Sequence, residues 1–136
     1  MMKMMKVWVS MLAAVAMLAG MNALAGDRYG KQKVVYHINY DDPQTQAGAL
    51  RNIQNHINAV GAENLDLRVV MHGNGVSLVL YPDSLASVPK FKSANADDQM
   101  QAKIANLKNQ GVGFNVCANT LKGRKVDREQ MLYDVD

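Results

Sequence analysis

The chain has 136 residues, with 15 Lys and Arg against 12 Asp and Glu and a single cysteine, Cys117. That near-balance of charge gives nucleic-acid binding no electrostatic support. One cysteine also excludes an intramolecular disulfide, and with it a disulfide-stapled secreted scaffold. Residues 1–25 read as an export signal: "MMKMMK" supplies two lysines, Val7 to Met21 is an uncharged apolar run, and Ala23 and Ala25 have the spacing of a signal-peptidase site. The run is shorter than the roughly 20 residues that a bilayer-spanning helix needs. The expectation is cleavage after Ala25, a flexible N-terminal tail over 26–32, and one domain over 33–136 in a periplasmic or secreted setting, with no membrane contact after cleavage. Lys3 and Lys6 leave with the leader, so the basic character of the chain is largely a property of that segment.

The first strand is predicted over "KVVYHINY" (Lys33 to Tyr40), β-branched and aromatic, and closed by the turn residues Asp41, Asp42 and Pro43. Ala47, Leu50, Ile53, Ile57 and Val60 then recur at helical spacing up to Gly61, which stands where a C-terminal cap belongs. "LDLRVVMHGNG" (Leu65 to Gly75) predicts a second strand that stops at two glycines; its poor alternation suggests burial on both faces. "VSLVLYP" (Val76 to Pro82) fits either a short strand or a buried turn.

A second helix begins after Asp97 and carries Met100, Ile104 and Leu107 on one face, with Gly111 beyond its end. "VGFNVC" is the third strand, "ANTLKG" a short helical turn, and "VDREQML" a last turn capped by Asp127. Strands alternating with helices imply βαβ units, hence an α/β fold: a three-layer α/β/α sandwich around a mostly parallel sheet.

Ligand sites of open parallel sheets lie beyond the carboxyl ends of the strands. Here that rim gathers Asn39 to Asp42, His72 to Gly75, and Cys117 to Thr120. Cys117 stands where a strand hands over to a helix, and amides around Asn119 and Thr120 can favour its thiolate. Lys122, Arg124 and Lys125 follow and add positive potential. In "MHGNG", Gly73 and Gly75 permit close backbone approach to a ligand, Asn74 sits between them, and His72 can orient or deprotonate the thiol. His37 and His56 read as structural or surface histidines. No Cys-x-x-Cys, His-x-x-x-His, Gly-x-Gly-x-x-Gly or phosphate-loop spacing occurs, so neither a metal nor a cofactor is expected. On residues alone an inert cysteine at the end of a core strand is as good a reading as a reactive one.

"VVMHGNGVSLVL", followed some forty residues on by "GVGFNVCANTLKGRKVD", resembles the DsrE/DsrF-like family, specifically its exported single-domain members; the resemblance runs from about Lys33 to Asp136. It implies a parallel α/β/α fold that assembles into trimers or hexamers, and a place in sulfur metabolism. By this resemblance Cys117 holds sulfane sulfur as a persulfide and passes it to or from a partner protein, as a carrier of sulfurtransferase type more than a conventional turnover enzyme. His72, Gly73, Asn74, Gly75, Asn119 and Thr120 then frame the sulfur. The alternative is a non-catalytic module whose rim binds a small anion or a partner loop while Cys117 packs inside. Family members of this type usually continue past the segment matching "MLYDVD" with a strand and a helix, so the expectation is either a truncated sequence or a fold without that last strand and helix.

Overall fold

A computed structural model describes residues 30–132, 135 and 136, and the leader and its cleavage site lie outside the described residues. Lys33 to Asp136 forms one compact unit. Three strands, β1 (Gln32–Ile38), β2 (Leu65–Met71) and β3 (Gly113–Val116), lie side by side in the order β1-β2-β3. β2 and β3 run parallel, in register from Arg68 opposite Gly113 to Met71 opposite Val116. The connections are helices α1 (Pro43–Val60) and α2 (Asp98–Asn109), as the βαβ pattern predicts. A short helix, α3 (Ala118–Arg124), follows β3.

Both long helices start on an aspartate. Asp42 accepts from the Thr45 amide at 2.7 Å, with Pro43 in the first turn, where its missing N–H costs nothing. Asp97 accepts from the Met100 amide at 2.8 Å. α1 ends at Gly61, whose φ of 90° lies where side chains are disfavoured. The last predicted turn is also present: Arg128–Gln130 is a single 3-10 turn in which the Gln130 side chain accepts from the Asp127 amide at 2.8 Å.

The α/β architecture with its parallel sheet is as expected, and two details add to it. The first is layering: α1 and α2 pack against each other on one face of the sheet, joined by the Gln54 side chain, which bonds Asn106 at 3.1 Å and Gln110 at 2.7 Å. Strand order explains this, because two right-handed crossovers advancing in the same direction put both helices on the same side. The second is the alternation of β2, whose residues Leu65, Leu67, Val69 and Met71 are buried, while Asp66 and Val70 are half-buried and Arg68 is exposed. The opposite face is thus only partly covered among the described residues, and Val35 on it is 64 % exposed.

The core joins Leu50, Ile53 and Ile57 of α1, Met100, Ile104 and Leu107 of α2, the inner side chains of β2, and Phe114. Full burial of each such side chain contributes about 1.5–3 kcal/mol. "GNGVSLV" forms a 3-10 segment, Gly73–Val79, with Gly75 to Val79 buried, so the second strand ends at Met71 and the glycines belong to the turn after it. Leu80 then makes an isolated antiparallel bridge to Met131. At the outer edge of β3, Asp136 donates to the Phe114 carbonyl at 2.9 Å and accepts from the Val116 amide at 2.6 Å, a parallel-type pairing along that edge.

Candidate functional site

The three strand ends are tied into one rim by backbone hydrogen bonds. The His72 amide donates to the Ile38 carbonyl at 3.1 Å, and the Cys117 amide to the Met71 carbonyl at 2.9 Å. Residues 39, 72 and 117 therefore come together where a parallel sheet presents its carboxyl ends.

Cys117 is the half-buried residue preceding α3, with an extended backbone (φ −71°, ψ 112°). The Thr120 hydroxyl, the Thr120 amide and the Asn119 amide stabilise its anion; against partial burial, they hold the thiol below its ordinary pKa. The hydroxyl is itself oriented. Thr120 Oγ1 accepts a hydrogen bond from the Gly73 amide at 3.0 Å, which leaves its own proton available to a second partner such as the neighbouring sulfur. This bond joins the "HGNG" turn to the "VCANT" segment, 47 residues apart in sequence.

Each glycine of the turn has its own reason. Gly73 has φ 56°, the left-handed conformation that aims its amide at Thr120. Gly75 is buried against β1, where an added Cβ would collide with the Ile38 carbonyl. Asn74, between them, is exposed, as is Asn119 on the facing segment.

His72 is exposed, and its hydrogen bond is made to another imidazole: His72 Nδ1 and His37 Nε2 are 3.1 Å apart, with the rings within 25° of parallel. The side-chain group that polarises the thiol is thus Thr120, while His72 pairs with His37 across the neighbouring strand end. His37 was read from sequence as a structural or surface histidine, and it is exposed at the end of β1, beside the first residue after β2. His56 bonds the Tyr36 hydroxyl at 3.1 Å on the helix side.

Two further groups shape the rim. Arg124, at the end of α3, lies over the Phe91 ring at 4.5 Å and donates to the Lys90 carbonyl at 3.1 Å. Gln46, fully buried on α1, was missed by sequence reading. Its side chain donates to the Tyr40 carbonyl at 2.8 Å and the Ser77 hydroxyl at 2.9 Å, and accepts from Asn95 at 2.8 Å, fixing the end of β1 to the turn segment. A buried glutamine in a polar helix face carries no sequence signal of its own. Among the described residues no three His, Cys, Asp or Glu side chains cluster as metal ligands would, and no helix is long and apolar enough to cross a membrane.

A search of the curated proteins finds no match. Among solved structures, the chain is similar to MTH1491 from Methanobacterium thermoautotrophicum, described as a protein of unknown function. The TM-score is 0.59 at 25 % identity, over 76 % of this chain and 78 % of that one. The DsrE/DsrF-like family matches residues 32–136, which spans all three strands, the "HGNG" turn and Cys117. With the parallel α/β sheet and its thiol-bearing rim in place, that match is decisive: the chain belongs to the DsrE/DsrF-like family.

Proposed function

We propose that this protein acts in sulfur metabolism as a carrier of sulfane sulfur, held as a persulfide on Cys117 and exchanged with a partner protein. The observation that carries the proposal is the place of Cys117: half-buried, at a strand-to-helix junction on the rim, next to a Thr120 hydroxyl held by the Gly73 amide, with its thiol favoured in the ionised form, it is suited to attack and to leave. In the loading step the Cys117 thiolate attacks the outer sulfur of a donor persulfide. A new S–S bond forms at Cys117, the donor S–S bond breaks, and its electron pair departs on the donor thiolate. Unloading reverses the roles: an acceptor thiolate attacks the outer sulfur and Cys117 leaves as thiolate. Neither step needs an external oxidant or reductant.

The same donors serve both states, because a persulfide is anionic at neutral pH and turn amides favour anions. The exported location and the trimeric or hexameric assembly belong to this proposal. Support for assembly is the partly uncovered sheet face, where Val35 is exposed. An inert packing cysteine is disfavoured by the partial exposure of Cys117 and by the polar groups around it. The test is cyanide-labile sulfur on the protein after exposure to polysulfide and desalting. About one equivalent per chain is expected in wild type and none in Cys117→Ala; equal amounts in both would end the proposal.

A further inference from the structure

Arg124 is held in place by groups that leave its charge unspent. Its guanidinium stacks on Phe91 and spends one donor on the Lys90 carbonyl, while the Lys90 ammonium in turn bonds the Gly123 carbonyl at 2.6 Å. Among the described residues it has no carboxylate within ion-pairing distance. Its other terminal nitrogen, Nη2, faces Gly73: a Cβ placed on that residue would lie 3.8 Å from Nη2, and outside the turn itself no other described neighbour lies within 4 Å. The space beside Gly73 is therefore open, with a fixed cation as its near wall. The Gly73 amide, on the same residue, holds the hydroxyl oxygen of Thr120, the residue that most favours the Cys117 anion. A planar, pinned guanidinium next to an amide-rich turn is the arrangement that recognises oxyanions.

We propose that Arg124 recognises the anionic end of the sulfur donor and so selects small sulfane donors bearing an oxyanion group, of which thiosulfate is the simplest; this rests on the carrier function proposed above. In that reaction the Cys117 thiolate attacks the sulfane sulfur of thiosulfate, the S–S bond of thiosulfate breaks, and its electron pair leaves on sulfite. The product is the Cys117 persulfide anion, and total charge is unchanged. Arg124 holds the sulfonate oxygens and stabilises the departing sulfite.

The test compares wild type with Arg124→Gln and Arg124→Met, the latter keeping an apolar contact on Phe91. Two readouts are taken on the full chain. One is the rate of sulfur loading from thiosulfate. The other is the ratio of Cys117 alkylation rates with iodoacetate and with uncharged iodoacetamide, which reads anion recognition without sulfur transfer. Loss of a charge-assisted contact is expected to slow thiosulfate loading and lower the alkylation ratio by about tenfold in both variants, with iodoacetamide rates within about twofold of wild type. An unchanged alkylation ratio in both variants would overturn the role of Arg124. A wild type that takes no sulfur from either thiosulfate or polysulfide, yet prefers iodoacetate in an Arg124-dependent way, would refute the carrier function and leave anion recognition standing.

Discussion

Replacing Gln46 with alanine tests whether the rim is held by the buried amide on α1. Gln46 is 0 % exposed and makes three hydrogen bonds, to the Tyr40 carbonyl, the Ser77 hydroxyl and the Asn95 amide. Each such bond contributes about 1 kcal/mol net, and leaving a buried partner unmade adds further cost. Some partners keep a second contact: Asn95 still donates to the Asp41 carbonyl at 2.9 Å. The expected loss is therefore about 3 kcal/mol, near the sum of the bonds themselves. For a domain of this size that corresponds to a fall in melting temperature of about 15 °C. Urea unfolding should move the midpoint down with little change in slope. Gln46→Met, which refills most of the volume, should recover less than half of the loss if hydrogen bonding dominates. A loss below about 1 kcal/mol for Gln46→Ala would refute the reasoning, because the three partners would then be satisfied without the glutamine.

Removal of the Thr120 hydroxyl in Thr120→Val takes away the principal group that favours the Cys117 anion, so the thiol pKa should rise. Only thiolate reacts, so alkylation at neutral pH slows and the midpoint of its pH profile moves up, while Thr120→Ser restores both; an unmoved midpoint would contradict the role given to Thr120. Gly75→Ala places a methyl group against the Ile38 carbonyl, where backbone must move. The expected result is a loss of at least about 2 kcal/mol in urea unfolding, and a fully stable variant would refute the close packing assigned to the turn.

Much of this architecture could be read in the sequence because it rests on local signals. Asp97 announced the start of α2, the spacing of Leu50, Ile53 and Ile57 marked the buried face of α1, and alternation of strands and helices implied a parallel sheet. Cys117 and Thr120 could be picked out because a strand-to-helix junction brings amides to a fixed place. Layering was less accessible. It depends on the direction in which each crossover moves along the sheet, and no short stretch of residues encodes strand order.

Side-chain partnerships were hidden for a related reason. His72 was read as a group able to serve the thiol or as a solvated histidine of the turn; its partner His37 lies 35 residues away in sequence and is adjacent only once β1 and β2 pair. The Gly73 to Thr120 bond likewise needs β2 and β3 in register. Gln46 looked like an ordinary polar residue of a helix surface, and Arg124 was read only as one of three cations following Cys117. Burial of one and the pinning of the other on Phe91 come from tertiary packing alone.

The claim that Cys117 carries sulfur is tested most directly by intact-protein mass spectrometry of the folded chain after exposure to polysulfide, with Cys117→Ser treated in parallel. Sulfur carriage on Cys117 predicts the gain of whole sulfur atoms on wild type only, removed by cyanide and transferable to an added acceptor thiol. A folded wild type that gains no sulfur, while the same chain reacts once unfolded, would contradict it and make Cys117 a packing residue.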